Sequence, residues 1–438
     1  MTDSQSPHRS MKIYLDTIGC RLNQAEIEQM ARQFRAAGHE IVMSAEGADL
    51  AVVNTCAVTS DAAADSRQTI RHLARVGVKQ IVPTGCWATL APREASNLPN
   101  VLRVVDNQQK DYLVAELNSE FRIQNSEFDL EPLARLPLPG LHRRTRAFVK
   151  VQDGCDNACT FCVTTVARGD SRSRPLADVI ADVQSALAGG TKEIVLTGVH
   201  LGSWGQDTGA HLRDLVSAIL RETDVPRLRL SSLEPWDLDA AFFELWRDPR
   251  LCRHLHLPLQ SGSATVLKRM ARKTTPDSFR ELVAAARGVM PEVAVTTDVI
   301  VGFPGETESE FNETLDFVRE MNFAGGHVFT YSARPGTPAA KMRGQVKHDI
   351  RKNRNHRLAE VFRESARAYR QKFIGRTMSV LWESVRELGE WGWRMEGWTE
   401  NYLRVSASSS APRWNEVDQV RLDALEGEGL RGVIVGTQ

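Results

Sequence analysis

No apolar run in these 438 residues approaches the roughly 20 needed to cross a bilayer, and residues 1–10 are polar, without the apolar segment of a secretory signal. Net charge is also missing. Lys and Arg number 55, Asp and Glu 55, so no global field draws the chain to nucleic acid; such affinity has to come from local clustering. Compositional bias is absent as well: 42 % apolar and 25 % charged residues are those of an ordinary globular protein, and the length allows two or three domains with cores of their own. Cysteines are few, seven in all, and without a secretory signal they do not read as a disulfide framework, because a reducing cytosol keeps thiols free. The expectation is a cytoplasmic chain, not a membrane protein, whose cysteines serve as ligands.

Their spacing supports that. Cys155, Cys159 and Cys162 stand at C-x3-C-x2-C immediately after the strand-like run Ala147-Phe-Val-Lys-Val151. A structural zinc site takes four protein ligands, and no fourth Cys or His follows at zinc-ribbon spacing. A 4Fe-4S cube held by three thiolates leaves one iron free for a ligand that is not protein. Cys20, Cys56 and Cys86 each fall just past a predicted strand, at 11–15, 50–53 and 80–83, with helices expected over 23–36 and 61–76. Ligands of open parallel sheets bind at the carboxyl ends of strands, so three cysteines scattered in sequence are expected to converge. Taken singly, each also suits a buried small apolar position. Cys252 stands alone and is expected in the core.

Beyond residues 121–140, read as a linker because of their prolines and polar residues, strand-like and helical patterns alternate up to residue 331. Strands are expected at 148–151, 193–196, 227–230, 254–257, 294–301 and 327–330. Helices are expected at 176–188, 211–221, 238–247, 264–270, 276–288 and 308–321. Six such units predict a partial parallel barrel whose mouth lies at the strand carboxyl ends. Residues there include His200, Glu234 and Gln260, each of which singly suits an ordinary mouth position. Residues 341–372 hold eleven Lys and Arg against three Asp and Glu, mostly on one predicted helix, 349–373. Such a run is either a solvated face or a phosphate footprint. The remainder alternates in short runs, predicting a small five-stranded β-barrel with five tryptophans and an acidic balance of seven Arg to ten Asp and Glu. Base stacking and core packing are the two uses open to those tryptophans.

The loop Cys155-Asp-Asn-Ala-Cys159-Thr-Phe161-Cys162 resembles the radical S-adenosylmethionine (SAM) superfamily. Tyr14-Leu-Asp-Thr-Ile-Gly-Cys20-Arg-Leu-Asn-Gln24, Asn54-Thr-Cys56, Thr84-Gly-Cys86, Ala167-Arg-Gly169, Ser173-Arg-Pro175 and Phe329-Thr-Tyr-Ser-Ala-Arg-Pro-Gly-Thr-Pro338 resemble the methylthiotransferases within it. After Cys162 the family usually has an apolar pair and Pro-Tyr, where this chain has Val163-Thr-Thr-Val166. The resemblance implies an α/β protein in four parts: a Rossmann-like amino-terminal domain (11–120), the linker (121–140), a radical SAM partial (β/α)6 TIM barrel with the basic helix (141–373) and a TRAM-like β-barrel (374–438). It further implies two 4Fe-4S clusters, one on Cys155, Cys159 and Cys162, the other, through which sulfur passes, on Cys20, Cys56 and Cys86. S-adenosylmethionine is expected against Phe161, Gly198, Ser232, Glu234, Gln260 and Asp298.

Three branches of the family differ in substrate. Ala57-Val-Thr59, Asp65-Ser-Arg-Gln68, Gln152-Asp-Gly-Cys155-Asp-Asn157 and Arg172-Ser-Arg-Pro175 look like the branch acting on N6-threonylcarbamoyladenosine at tRNA position 37. Tyr331-Ser-Ala-Arg-Pro-Gly-Thr337 argues against the branch acting on a ribosomal protein. Isopentenyladenosine at the same tRNA position is the alternative substrate, and a non-catalytic iron–sulfur RNA-binding protein the alternative of a different class. Expected partners are the tRNA anticodon loop, held through Arg351, Arg354 and Arg363, a low-potential electron donor and a sulfur donor.

Overall fold

The computed structural model describes residues 10–120, 145–387 and 392–437. The linker expected over 121–140 lies outside the described residues, as do residues 1–9 and Trp391. The chain forms two compact units: Met1–Arg143 with Thr164–Asp170, and Arg144–Val163 with Ser171–Gln438.

The first unit is built on a parallel sheet, order β2-β1-β3-β4, from β1 (Lys12–Thr17), β2 (Glu40–Val42), β3 (Leu50–Thr55) and β4 (Gln80–Gly85). Helices α1 (Arg21–Ala36) and α2 (Ser60–Arg75) follow β1 and β3. β3 is buried along its whole length, with Leu50 and Val52 packing with Ile27, Met30 and Phe34 of α1, and Ala51 and Val53 with Ile70 and Leu73 of α2. Period-two alternation with both faces covered is what makes its sequence a continuous apolar run. β2 was not expected: three residues are too short to carry a period. Short helices α3 (Cys86–Leu90) and α4 (Pro92–Ser96) and helix α5 (Leu113–Glu120) follow β4, and α6 (Thr164–Arg168) joins this unit from beyond the cysteine loop.

In the second unit, β5 (Arg146–Lys150), then a two-residue hairpin arm of β6 (Gln152–Asp153) with β7 (Arg172–Ser173), lead into α7 (Leu176–Ala188), β8 (Glu193–Thr197), α8 (Leu212–Glu222), β9 (Arg227–Leu230) and β10 (His254–His256). They are followed by α9 (Ala264–Arg269), α10 (Pro276–Val289), β11 (Ala294–Val301), α11 (Glu308–Met321) and β12 (Gly325–Thr330). The parallel sheets β5-β8-β9 and β10-β11-β12, with bridges Leu228 to Leu251 and Ser232 to His256 between them, make the open six-stranded barrel. Threonine caps set two helix starts: Thr275 before Pro276 and Thr307 before Glu308 each form a reciprocal capping box. The helix expected over 238–247 is instead a 3-10 helix, Ala240–Arg247, capped by Asp239.

Helix α12 (His348–Gln371) packs along the outer barrel edge, with Leu358, Val361 and Phe362 in the barrel core. A closed barrel, order β13-β14-β15-β17-β16, then forms from β13 (Thr377–Glu387), β14 (Trp393–Thr399), β15 (Arg404–Ser409), β16 (Val417–Glu426) and β17 (Gly429–Thr437). It attaches at the amino ends of the large barrel's strands. Arg227 and Arg229 of β9 donate to the backbone carbonyls of Trp398 and Glu400 at 3.2 and 2.9 Å, and both ion-pair with the buried Glu193 that opens β8. Trp398 stacks on Tyr402 and Tyr402 on His254, centroids 4.6 and 4.5 Å apart, while the guanidinium of Arg229 lies 4.9 Å over Tyr402. Trp382 is fully buried and donates to Asp418 at 2.7 Å. For Trp382 and Trp398, packing is therefore the use the fold makes of the ring.

Candidate functional site

The first unit gathers three cysteines at neighbouring strand ends: Cys20 after β1, Cys56 after β3, Cys86 after β4. Two glycines make the approach possible. At Gly19 (φ +112°) a Cβ would lie 2.7 Å from Cys56 Sγ, and at Gly85 (φ +93°) 2.4 Å from the Thr55 carbonyl oxygen. Only glycine combines a left-handed backbone with such contact. Burial pushes the Cys56 thiol up to about 11; a backbone bond at Val58 and the charge of Arg168 oppose this, while Cys20 and Cys86 add to it, so the three thiols share one electrostatic environment. Buried polar atoms lacking a protein partner, Thr17 Oγ1, Thr84 Oγ1 and Asn107 Oδ1, occur at the same end of the sheet.

Gly85→Ala is expected to destabilise this unit by on the order of 3 kcal/mol, combining backbone strain with collision, and to lose whatever group the thiols hold. Gly77→Ala provides the control, since Gly77 is equally left-handed (φ +98°) but has open space around it. Equal melting temperatures for the two variants would count against the close approach.

In the second unit, Cys155, Cys159 and Cys162 are all partly exposed. Their loop is anchored by buried Gln152, whose amide nitrogen donates to the carbonyls of Asp153 and Gly154 and whose oxygen accepts from the His200 N–H at 2.8 Å. Thr160 fastens the middle to α9 through Met270 and Arg269. Donors already face the sulfurs: Asn157 Nδ2 lies 3.5 Å from Cys155 Sγ, and Arg272 Nη1 3.8 Å from Cys159 Sγ. Such bonds favour thiolate. His200 bonds Asp237 at 2.5 Å; burial alone would lower its pKa, but Asp237 and Cys155 hold it up at about 9.

The positions expected against S-adenosylmethionine lie around one end of the barrel. Phe161 packs edge-on to Phe303 at 6.5 Å. Gly198 follows β8, Ser232 and Glu234 follow β9, Gln260 follows β10, and Asp298 lies on β11. Glu234 is engaged by Arg272 at 2.6 Å, and Asp298 Oδ2 by His256 at 3.2 Å. Gln260 is held at φ +70°, bridging to Val299. Ser231 Oγ, Trp236 Nε1, Asp298 Oδ1 and Tyr331 OH are buried there without a protein partner, which suits a polar ligand.

Among the described residues no three His, Cys, Asp or Glu side chains stand close enough to share a single metal ion. A cube, whose irons occupy separate corners, asks for no such convergence. By donor chemistry, two triads of soft thiols suit such cubes.

The basic helix corrects one expectation. Arg354 is buried and ion-paired to Glu306 at 2.6 Å and Glu308 at 3.2 Å, and Arg351 turns inward to the Tyr331 carbonyl with its stem over Gly302. Both are struts between α12 and the barrel, because a buried guanidinium takes the nearest carboxylate or carbonyl. Arg363 is exposed. Sequence reasoning also passed over Arg272, and quoted Gln152 and Asn157 only as part of a branch motif, without the loop contacts they make. Neither periodicity nor spacing singles them out.

Residues 149–318 match the radical SAM superfamily, and residues 12–106 match uncharacterized protein family UPF0004. Over 93 % of this chain and 92 % of the relative, identity to the threonylcarbamoyladenosine tRNA methylthiotransferase MtaB of Bacillus subtilis (strain 168) is 36 %. For the MtaB of Thermotoga maritima the figures are 37 % identity over 95 % and 96 %. The chain belongs to the radical SAM methylthiotransferase family. Among solved structures, the fold is similar to that of the radical S-adenosylmethionine methyltransferase TsrM from Kitasatospora setae, determined with cobalamin and a 4Fe-4S cluster. There the TM-score is 0.58 at 15 % identity, covering 76 % of this chain and 77 % of the other. The methylthiotransferase chain thus carries its two cysteine triads at strand carboxyl ends of two separate α/β units.

Proposed function

We propose that this enzyme replaces the hydrogen on carbon 2 of N6-threonylcarbamoyladenosine 37 of tRNA by a methylthio group. The reading is carried by the similarity to two MtaB enzymes along nearly the whole chain, combined with two cysteine triads at the ends of parallel sheets. Cys155, Cys159 and Cys162 would hold one 4Fe-4S cluster and Cys20, Cys56 and Cys86 a second. With S-adenosylmethionine bound, the first would supply the electron for its reductive cleavage, the released 5′-deoxyadenosyl group taking up the C2 hydrogen, and the second would supply the sulfur, a further S-adenosylmethionine giving the methyl group.

The chain's own residues bind and orient. Gln152 and Thr160 fix the loop, and Asn157 and Arg272 direct N–H groups at its sulfurs. The barrel mouth at Phe161, Gly198, Ser232, Glu234, Gln260 and Asp298 receives S-adenosylmethionine. A low-potential electron donor and a sulfur donor complete the cycle. Reconstituted enzyme given S-adenosylmethionine, reductant and tRNA carrying threonylcarbamoyladenosine should form the 2-methylthio nucleoside. Product only on tRNA carrying isopentenyladenosine would move the substrate, and binding without product would leave an RNA-binding protein.

For the RNA footprint we assign four of the exposed cations around α12: Lys347, Lys352, Arg363 and Arg367. Reversing all four to Glu is expected to weaken tRNA binding steeply and to flatten its dependence on log salt by about 0.7–0.9 for each phosphate no longer neutralised. Fluorescence anisotropy over a salt series measures this. An unchanged slope would remove α12 from the footprint.

A further inference from the structure

Within the first unit, a buried ionic cluster lies among the same elements as Cys20, Cys56 and Cys86. Glu26 of α1 sits between two cations: Arg168 Nη1 is 2.8 Å from Oε1 and Lys110 Nζ 2.8 Å from Oε2, with all three side chains only 2 % exposed. Asn54 of β3 ties the group together, donating to Glu26 at 3.0 Å and accepting from Lys110 at 3.1 Å. Asn23 links it to the thiols. Its Oδ1 accepts from Arg168 Nη2 at 2.8 Å and lies 3.7 Å from Cys20 Sγ, while its Nδ2 donates to the carbonyls of Ile18 and Thr55, next to Cys56.

The source of Arg168 gives this its meaning. The chain leaves the cysteine loop at Cys162, enters the first unit for Thr164–Asp170 only, and then returns to the second. Asn107 secures that segment by donating to the Ala167 carbonyl at 2.7 Å, and the same Nδ2 lies 3.8 Å from Cys86 Sγ. The charge of Arg168 reaches Cys20 and Cys56, and that of Lys110 reaches Cys86. A guanidinium keeps its proton in any protein setting, and in a dry interior its field is only weakly screened.

We propose that Arg168 is a positioning residue for the cluster of Cys20, Cys56 and Cys86: it holds the ligand-bearing strand ends through Asn23 and Glu26, and its permanent charge raises that cluster's reduction potential. This rests on the proposed function, in which those cysteines hold a cluster. The segment that follows one cysteine loop thereby completes the surroundings of the other triad. Buried cations favour the more negative, reduced state of a cluster, so removing one lowers the potential.

The test uses full-length protein carrying Cys155→Ala, Cys159→Ala and Cys162→Ala, so that one cluster is observed alone, with potentiometric titration followed by electron paramagnetic resonance. Adding Arg168→Gln should shift the reduction equilibrium about tenfold or more toward the oxidised state, a fall of ~59 mV or more for one electron. Arg168→Lys, which keeps the charge and loses the fork, should restore most of the potential. Should Arg168→Gln fail to retain iron, Lys110→Gln carries the same expectation. Equal potentials in the Gln and Lys variants and the parent would overturn the proposal, as would an equal shift in both. A parent protein that binds no iron would instead overturn the assignment of Cys20, Cys56 and Cys86.

Discussion

Replacing Cys155, Cys159 and Cys162 together by Ala is expected to halve the iron of the reconstituted protein, from roughly eight atoms to roughly four, and to abolish formation of 5′-deoxyadenosine. The three thiols lie on one short loop whose anchors, Gln152 and Thr160, do not involve the sulfurs. The substitution therefore removes ligands and leaves the barrel standing. Cys20, Cys56 and Cys86 belong to the other unit and should keep their iron. Cleavage of S-adenosylmethionine that survives the substitution would refute the role given to this loop.

The second large effect concerns stability. Glu193→Gln should cost about 3–5 kcal/mol, because it leaves two buried guanidinium groups without their carboxylate. Arg227 and Arg229 meet Glu193 at 2.9 and 2.7 Å, and Glu193 is 1 % exposed. Burial alone would push its pKa up; the guanidiniums of Arg229 and Arg227 overcome this and hold it at about 2. A carboxylate depressed in the folded state stabilises at pH values above its unfolded pKa, near 4.3. That contribution, about 3 kcal/mol, is lost as pH falls toward 2. Denaturant titrations at pH 7 and pH 3 measure both effects. The native protein should lose stability between them, and the Gln variant should lose less. Identical acid sensitivity would refute the ion cluster's contribution.

Much of this architecture is legible in the sequence because period-two and period-3.6 patterns are strong where both faces are covered. Ala294–Val301, Leu176–Ala188 and Glu308–Met321 occur at the expected bounds, and each cysteine of the first triad follows a strand. What could not be read has a common cause. Whether a cation is free or buried depends on what packs over it. In the sequence Arg354 looks like Arg363, yet Glu306 and Glu308 close over one, while the other stays exposed beside Glu360. Asn23 and Glu26 did leave a signal, being polar positions within the buried stripe of Leu22, Ile27 and Met30. Their partners Lys110 and Arg168, 84 and 142 residues from Glu26 along the chain, left none. Gly19 and Gly85 were visible beside Cys20 and Cys86, but only the positive φ and the contacts with Cys56 and Thr55 explain why glycine stands there.

The most direct measurement of the central claim is nucleoside mass spectrometry of tRNA from cells with and without this gene. Loss of 2-methylthio-N6-threonylcarbamoyladenosine, with a matching rise in N6-threonylcarbamoyladenosine, is the predicted result. An unchanged level of the methylthiolated nucleoside, or loss of the isopentenyl counterpart in its place, would contradict it.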